Sequence, residues 1–198
     1  MGRKPGFTDE QVFVWLSGHL ALAPGVTVQQ VSKGTGVSVG SIYHRYGSME
    51  GLLAEAWLWA QNRFCDHLEQ QILADGLQGG LRTAVEVLRF GTLDRAAATL
   101  LFIVPERYLV RAVDDAAVTE RVSTARARQG LALEQMSKRL NLDTDTVELA
   151  VFRLPWALIA KYLPDEEIPA QAEVYVRKAA RMILTHQTQA QVDAEVDA

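Results

Sequence analysis

The stretch Thr27-Val28-Gln29-Gln30-Val31-Ser32-Lys33-Gly34-Thr35-Gly36-Val37-Ser38-Val39-Gly40-Ser41-Ile42-Tyr43-His44-Arg45-Tyr46-Gly47-Ser48-Met49-Glu50-Gly51-Leu52-Leu53 decides the fold. Thr27 is followed three residues on by Gln30, the spacing at which hydroxyl and amide cap each other's backbone at a helix start. The turn Gly34-Thr35-Gly36-Val37 ends that helix, and Ser38 opens the next by accepting from the amides of its first turn. Two short helices joined by a tight, glycine-bearing turn form a helix-turn-helix. Upstream, Thr8 and Gln11 repeat the capping spacing and start a further helix. Val28, Val31, Val37, Ile42 and Tyr46 then fall where they can close over Leu16 and Leu20 as a small three-helix core.

That core leaves Val39, Gly40, Ser41, His44 and Arg45 outside on the third helix. A helix whose first turn carries little bulk approaches a major groove closely, with Ser41 placed for a base edge and Val39 for a thymine methyl. Tyr43, His44 and Arg45 are expected at phosphates, which orient a protein without reading sequence. Thr27, Gln29, Lys33 and Ser38 complete the expected DNA-binding set.

The same stretch resembles the N-terminal signature of the tetracycline-repressor (TetR) family, contiguously and without gaps. The residues that carry the resemblance are Thr27, Val28, Gly36, Val37, Ser38, Tyr43, Tyr46, Ser48, Glu50 and Leu52, and it covers about residues 8–60. The resemblance implies an all-α, dimeric transcriptional regulator that binds double-stranded operator DNA and encloses a chamber for a small-molecule effector. Six residues depart from the pattern. Gly47 and Met49 stand where lysines are frequent, which predicts weaker phosphate contact. Ser32 and Gly34 replace alanines of the second helix, which predicts looser packing. Trp15 and Gly18 stand in the first helix where small and apolar residues are usual.

Beyond the signature the chain reads as helix throughout, with apolar residues recurring at three and four spacing and no sustained alternation. Breaks fall at Pro24-Gly25, Gly34 to Gly36, Gly47, Gly76 to Gly80, Pro105, Asn141 to Thr144 and Pro164 to Pro169. The reading is about nine helices, over 8–23, 27–34, 38–46, 48–75, 79–92, 94–112, 115–140, 144–163 and 169–187. Residues 1–47 form the DNA-binding domain and 48–198 a helical effector-binding and dimerisation domain, with 186–198 a frayed tail.

The fourth helix carries Leu52, Leu53, Trp57, Ala60, Phe64, Leu68 and Ile72 on one stripe. Trp57, Gln61, Phe64, Arg89, Phe90, Phe102, Tyr108 and Met136 are the candidates for the chamber, which the family resemblance places in this region. The segment Val147 to Leu163 is apolar around most of its circumference, interrupted by Glu148, Arg153 and Lys161. Such a helix is buried on more than one side, and a second subunit is the economical partner. With the last helix it predicts a homodimer face of Phe152, Trp156, Ile159, Val176, Met182 and Ile183, four helices in all.

Composition excludes other classes. At 198 residues and 48% apolar the chain has material for a core, and 22% charged residues with a mean hydropathy of +0.00 do not describe a disordered segment. No apolar run approaches the ~20 residues of a membrane span. The N-terminus shows no apolar secretory core, so a cytoplasmic location is expected. Cys65, the one cysteine, excludes an internal disulfide and multi-cysteine metal sites. His19, His44, His67 and His186 share no ligand spacing, so no metal or cofactor is expected. Residues 1–47 hold Arg3, Lys4, Lys33 and Arg45 against Asp9 and Glu10, a balance of +2, which leaves −6 on 48–198 out of −4 in all. A mildly basic head on an acidic body suits nucleic-acid binding through the head. The function expected is a ligand-responsive regulator, read as a repressor released from its operator by a small apolar or amphipathic molecule, without catalytic activity. The alternative is a helical enzyme or carrier for an apolar molecule with a degenerate head, which salt-dependent duplex binding distinguishes.

Overall fold

A computed structural model describes residues 7–22, 25–69, 76–163 and 166–196, with side chains through Thr185. The described residues are all helical or connecting. In chain order they form α1 (Asp9–Leu22), α2 (Val28–Thr35), α3 (Val39–Tyr46), α4 (Met49–Glu69), α5 (Gly76–Leu93), α6 (Arg95–Ile103), α7 (Glu106–Ala112), α8 (Ala116–Leu140), α9 (Thr144–Glu148), a π-helical turn (Leu149–Arg153), α10 (Leu154–Tyr162) and α11 (Gln171–Val196). The all-α expectation holds.

Three elements depart from the sequence reading for identifiable reasons. The span 94–112 is two helices, because Pro105 lacks an N–H and caps α7 in an extended conformation. The glycines at 76–80 lie inside α5, where Gly80 is a packing residue: a Cβ there would stand 3.0 Å from Leu184 Cδ1. The span 144–163 is continuous but widens at Leu149–Arg153, where the Leu154 N–H donates to Leu149 O, five residues back. Pro155 follows at once, and its ring cannot accommodate a carbonyl four residues back. Residues 70–75, expected to continue the fourth helix, lie outside the described residues. The backbone of α11 runs to Val196, across most of the stretch expected to fray.

The chain divides into two compact units, one of Met1–Arg63 with Arg95–Arg126, the other of Phe64–Asp94 with Ala127–Ala198. In the first, α1 packs on α2 and α6, and α2 on α3. Phe13 sits between Tyr46 and Trp59, ring centroids 6.1 and 5.8 Å away. Arg121 on α8 forks onto Glu55 of α4, at 2.6 and 3.0 Å.

In the second unit α5 is the central helix, flanked by α11, α10 and the π-helical turn. Gly91 lets α10 and the connection that precedes α11 come close, since a Cβ would lie 2.9 Å from Ile159 and 3.0 Å from Ile168. Phe64 is the hub of an aromatic cluster, 5.1 Å from Phe90, 6.3 Å from Phe152 and 5.5 Å from Trp156 by ring centroid. A polar chain runs alongside. His67 lies 3.3 Å from Glu86, Glu86 accepts from Arg89 at 2.9 Å, and Arg89 donates twice to Glu173 at 2.8 and 3.0 Å. Those bonds to Glu173 hold Arg89 above its ordinary pKa and Glu173 below its own.

Candidate nucleic-acid interface

The local chemistry of the head matches the capping arithmetic. Thr8 and Gln11 exchange hydrogen bonds at 3.1 and 3.3 Å. Thr27 and Gln30 form a complete capping box, the Thr27 N–H donating to Gln30 Oε1 at 2.8 Å and the Gln30 N–H to Thr27 Oγ1 at 3.3 Å. Gly36 ends α2 at φ +74°, a left-handed conformation that glycine adopts without a Cβ penalty, and its N–H closes on Ser32 O. Ser38 caps α3, accepting from the Ser41 N–H at 3.1 Å. Gly47 ends α3 at φ +75°, so the glycine found in place of a lysine meets a backbone requirement.

Underneath, Val28, Val31, Val37, Ile42, Tyr46 and Leu16 are buried and Leu20 is half-buried, as the spacing predicts. The expectation of loose packing at Gly34 is overturned. A Cβ at Gly34 would overlap the Trp15 indole, which itself stacks on His19 with centroids 3.7 Å apart. The two departures from the family pattern are thus complementary, one residue emptied where the other is enlarged.

Outward from this core, Gly40, Ser41, Tyr43, His44 and Arg45 are exposed, with Ser38, and Val39 is half-buried. Gly40 meets nothing nearer than Ser38 Oγ at 4.0 Å, so its backbone is open to a close approach. Thr27, Gln29 and Lys33 are exposed on and beside α2. Ser41 Oγ lies 2.8 Å from Ser38 Oγ, which keeps one of its hydrogen-bonding positions at the cap. Arg45 is not a loose cation. Its guanidinium is ion-paired with Asp9 of α1, and Asp9 also accepts from the Tyr46 hydroxyl. Asp9 raises the Arg45 pKa through that bond, and burial first, then Asp9, raises that of Tyr46. Sequence reasoning missed Asp9, because no spacing rule links a residue to partners 36 and 37 positions away.

The expected chamber residues divide between the two units. In the first, Trp57 and Gln61 are buried while Phe102 and Tyr108 are exposed at 52% and 46% in the single chain. In the second, Phe64, Phe90 and Met136 are buried, the two rings packed on one another, and Arg89 is exposed. A surface cavity of about 350 Å³ in this unit has Arg89 and Glu173 on its lining, between the end of α5 and the start of α11.

The residues expected at the dimer face divide by burial within the single chain. Phe152, Ile159 and Val176 are buried in their own chain, Trp156 and Ile183 are half-buried, and Met182 is exposed at 71%. The run 147–163 is buried on more than one side, as its composition requires, but α5 and α11 of the same chain supply the cover. The exposed apolar groups nearby are Leu149, Val174, Tyr175 and Met182. At 100° per residue, Tyr175, Ala179 and Met182 share one face of α11.

Among the described residues no group of three or more His, Cys, Asp or Glu could hold a metal ion, and no helix is long and apolar enough to cross a membrane.

Comparison with known proteins adds the following. Residues 24–56 match the model of the bacterial regulatory proteins of the tetR family. No curated protein matches the chain. Among solved structures, the TetR family transcriptional regulator PfmR of Thermus thermophilus is similar at 17% identity, covering 88% of this chain and 97% of its own, with a TM-score of 0.68. The ketosteroid transcriptional regulator KstR2 of Mycobacterium tuberculosis is similar at 16% identity over 92% and 96%, with a TM-score of 0.68. The fatty acid degradation regulator FadR of Bacillus halodurans is similar at 14% identity over 92% and 97%, with a TM-score of 0.65. These likenesses concern the fold, whereas the match at 24–56 falls on the capped helices and the open turn described above. The head thus carries the tetR-family match over residues 24–56, and the chain as a whole is similar in fold to solved TetR-family regulators.

Proposed function

We propose that this protein is a dimeric repressor that leaves its operator when a small apolar or amphipathic effector binds. In this reading residues 1–47 are the DNA-binding head and 48–198 the effector-binding and dimerisation part. The observation that carries it is the open first turn of α3. Ser38 caps it, Gly40 leaves its backbone bare, and Ser41 stands exposed beside it. A groove-entering helix needs such a turn, whereas a helix packed inside a protein would be covered there. The related FadR and KstR2 are named for fatty acids and ketosteroids, which supports an apolar effector class.

Gly40→Glu tests the reading. It places bulk and negative charge where the backbone would meet the duplex, while acid in a first turn favours the helix itself. Genomic fragments selected by the purified protein should bind the parent with steep salt dependence and fail to bind the variant, whose circular dichroism stays helical. Equal binding by a folded variant overturns the assignment of α3. Release by the effector requires a molecule that prefers one of two states, with a coupling typically about 1–3 kcal/mol that acts equally in both directions. Thermal-shift screening with apolar compounds finds such a molecule, and operator affinity in its presence decides whether the protein senses anything.

A further inference from the structure

Asp9 and Arg45 make an arrangement that the reading of α3 as a DNA-contacting helix leaves unexplained. Asp9 is the first residue of α1, and its two carboxylate oxygens serve two consecutive residues at the far end of α3: Oδ2 accepts from Arg45 Nη2, and Oδ1 from the Tyr46 hydroxyl. Tyr46 is buried, so its hydroxyl holds the carboxylate at a fixed point whatever Arg45 does. Arg45 is further confined by the Phe7 ring, 5.8 Å from its guanidinium carbon. The side chains of Arg45 and Asp9 are 41% and 36% exposed, on the same head as the expected groove-facing residues. A cation on this helix would ordinarily be spent on a phosphate.

We propose that Asp9 withholds Arg45 from the DNA backbone, and so lowers the sequence-independent share of the head's affinity while positioning the end of the reading helix. The proposal rests on the DNA-binding reading above. Its physical content is a competition. A phosphate that takes Arg45 Nη2 leaves the Asp9 carboxylate without its ion pair, and one that takes the other guanidinium nitrogens still meets, at close range, the like charge of that carboxylate, which Tyr46 holds in place. The loss is the same for every sequence, because phosphates carry no code. Base contacts from the first turn of α3 thereby make up a larger fraction of what binding remains. Asp9 is a positioning residue that touches no base. It sets selectivity by restraining a neighbour.

The test is a double-mutant cycle on the 198-residue protein, using fluorescence anisotropy with a selected genomic duplex and a scrambled duplex of equal composition. Asp9→Asn keeps hydrogen-bonding capacity and removes the charge. It should bind the scrambled duplex several-fold tighter, with a slope of log affinity against log salt steeper by about one, and narrow the gap between the two duplexes. Arg45→Gln, whose own effect on the parent sets the baseline of the cycle, should abolish the whole gain in the Asp9→Asn background. Equal gain from Asp9→Asn with and without Arg45 overturns the proposal, since it would then be a general effect of net charge. An unchanged salt slope in Asp9→Asn overturns it as well. Should the Asn variant not fold, Asp9→Ser enters the same cycle with the same expectations. If the parent binds neither duplex, the DNA-binding reading itself fails and the proposal falls with it. If the parent binds and the cycle shows no coupling, the proposal alone fails.

Discussion

The helices α2 and α3 and the run from Thr144 to Tyr162 are both short stretches rich in small and apolar residues, yet they take their structure from different sources. In α2 and α3 each decisive contact lies within a few residues: Thr27 with Gln30, Ser38 with Ser41, Gly36 with Ser32. In the run 144–162 the decisive contacts lie with distant helices, Phe152 and Trp156 against Phe64 and Ile159 over Gly91. The first region can be read one turn at a time. The second has a composition that demands burial without saying against what.

The sharpest way to break this contrast is to place a charge on each kind of apolar residue in the second unit. Phe152→Glu should unfold the protein, because an unpaired carboxylate would be left inside the aromatic cluster, and unfolding should be visible as lost helicity and a lost cooperative thermal transition. Met182→Glu, on an exposed position of α11, should leave helicity intact and instead halve the mass observed by sedimentation, if Tyr175, Ala179 and Met182 form the face that meets a second copy. A folded dimer in both variants would remove the distinction between buried and presented apolar groups.

A smaller effect is expected where α1 seats on α2, a contact of the head that local rules do not dictate. Gly34→Ala should destabilise by about 1–3 kcal/mol in urea unfolding, since the new methyl would overlap the Trp15 indole. Adding Trp15→Leu should recover more than half of that loss. Strict additivity of the two changes would show that the indole and the bare glycine are not partners.

The smallest effect concerns the polar chain beside the aromatic cluster. Glu173 is held below its ordinary pKa by Arg89, so in the folded state it contributes stability that is present above the usual carboxylate range and lost as pH falls through its lowered value. Glu173→Gln should therefore cost under about 1 kcal/mol near neutrality, because the pair is partly exposed and screened. The cost should vanish in acid, where both proteins carry a neutral group. A cost that grows on acidification contradicts the assignment.

The contrast also explains how far the sequence could be read. Both capping boxes, the Ser38 cap and the buried set from Val28 to Tyr46 follow from spacings of three and four, so the helix-turn-helix was legible down to individual hydrogen bonds. The Asp9 clamp and the seating of Trp15 on Gly34 were not, because each joins positions far apart in the chain. In the second unit the apolar periodicity gave the helices, but it could not separate core from chamber from interface. Phe90, Leu149 and Met182 are all apolar on paper, yet the first is buried and the other two lie open.

The widened turn at Leu149–Arg153 makes chain length matter more than composition here. A regular helix advances 100° and 1.5 Å with each residue, and the five-residue spacing at Leu154 absorbs one residue more than an α-helical turn would take. Deleting one residue between 149 and 153 would permit an ordinary helix with Trp156 and Ile159 still facing Phe64 and Gly91, whereas closing the turn to α geometry with every residue kept would swing them by about 100°. Homologous chains with a one-residue gap at this point should therefore show an ordinary helix here, with the aligned apolar pattern downstream still facing α5.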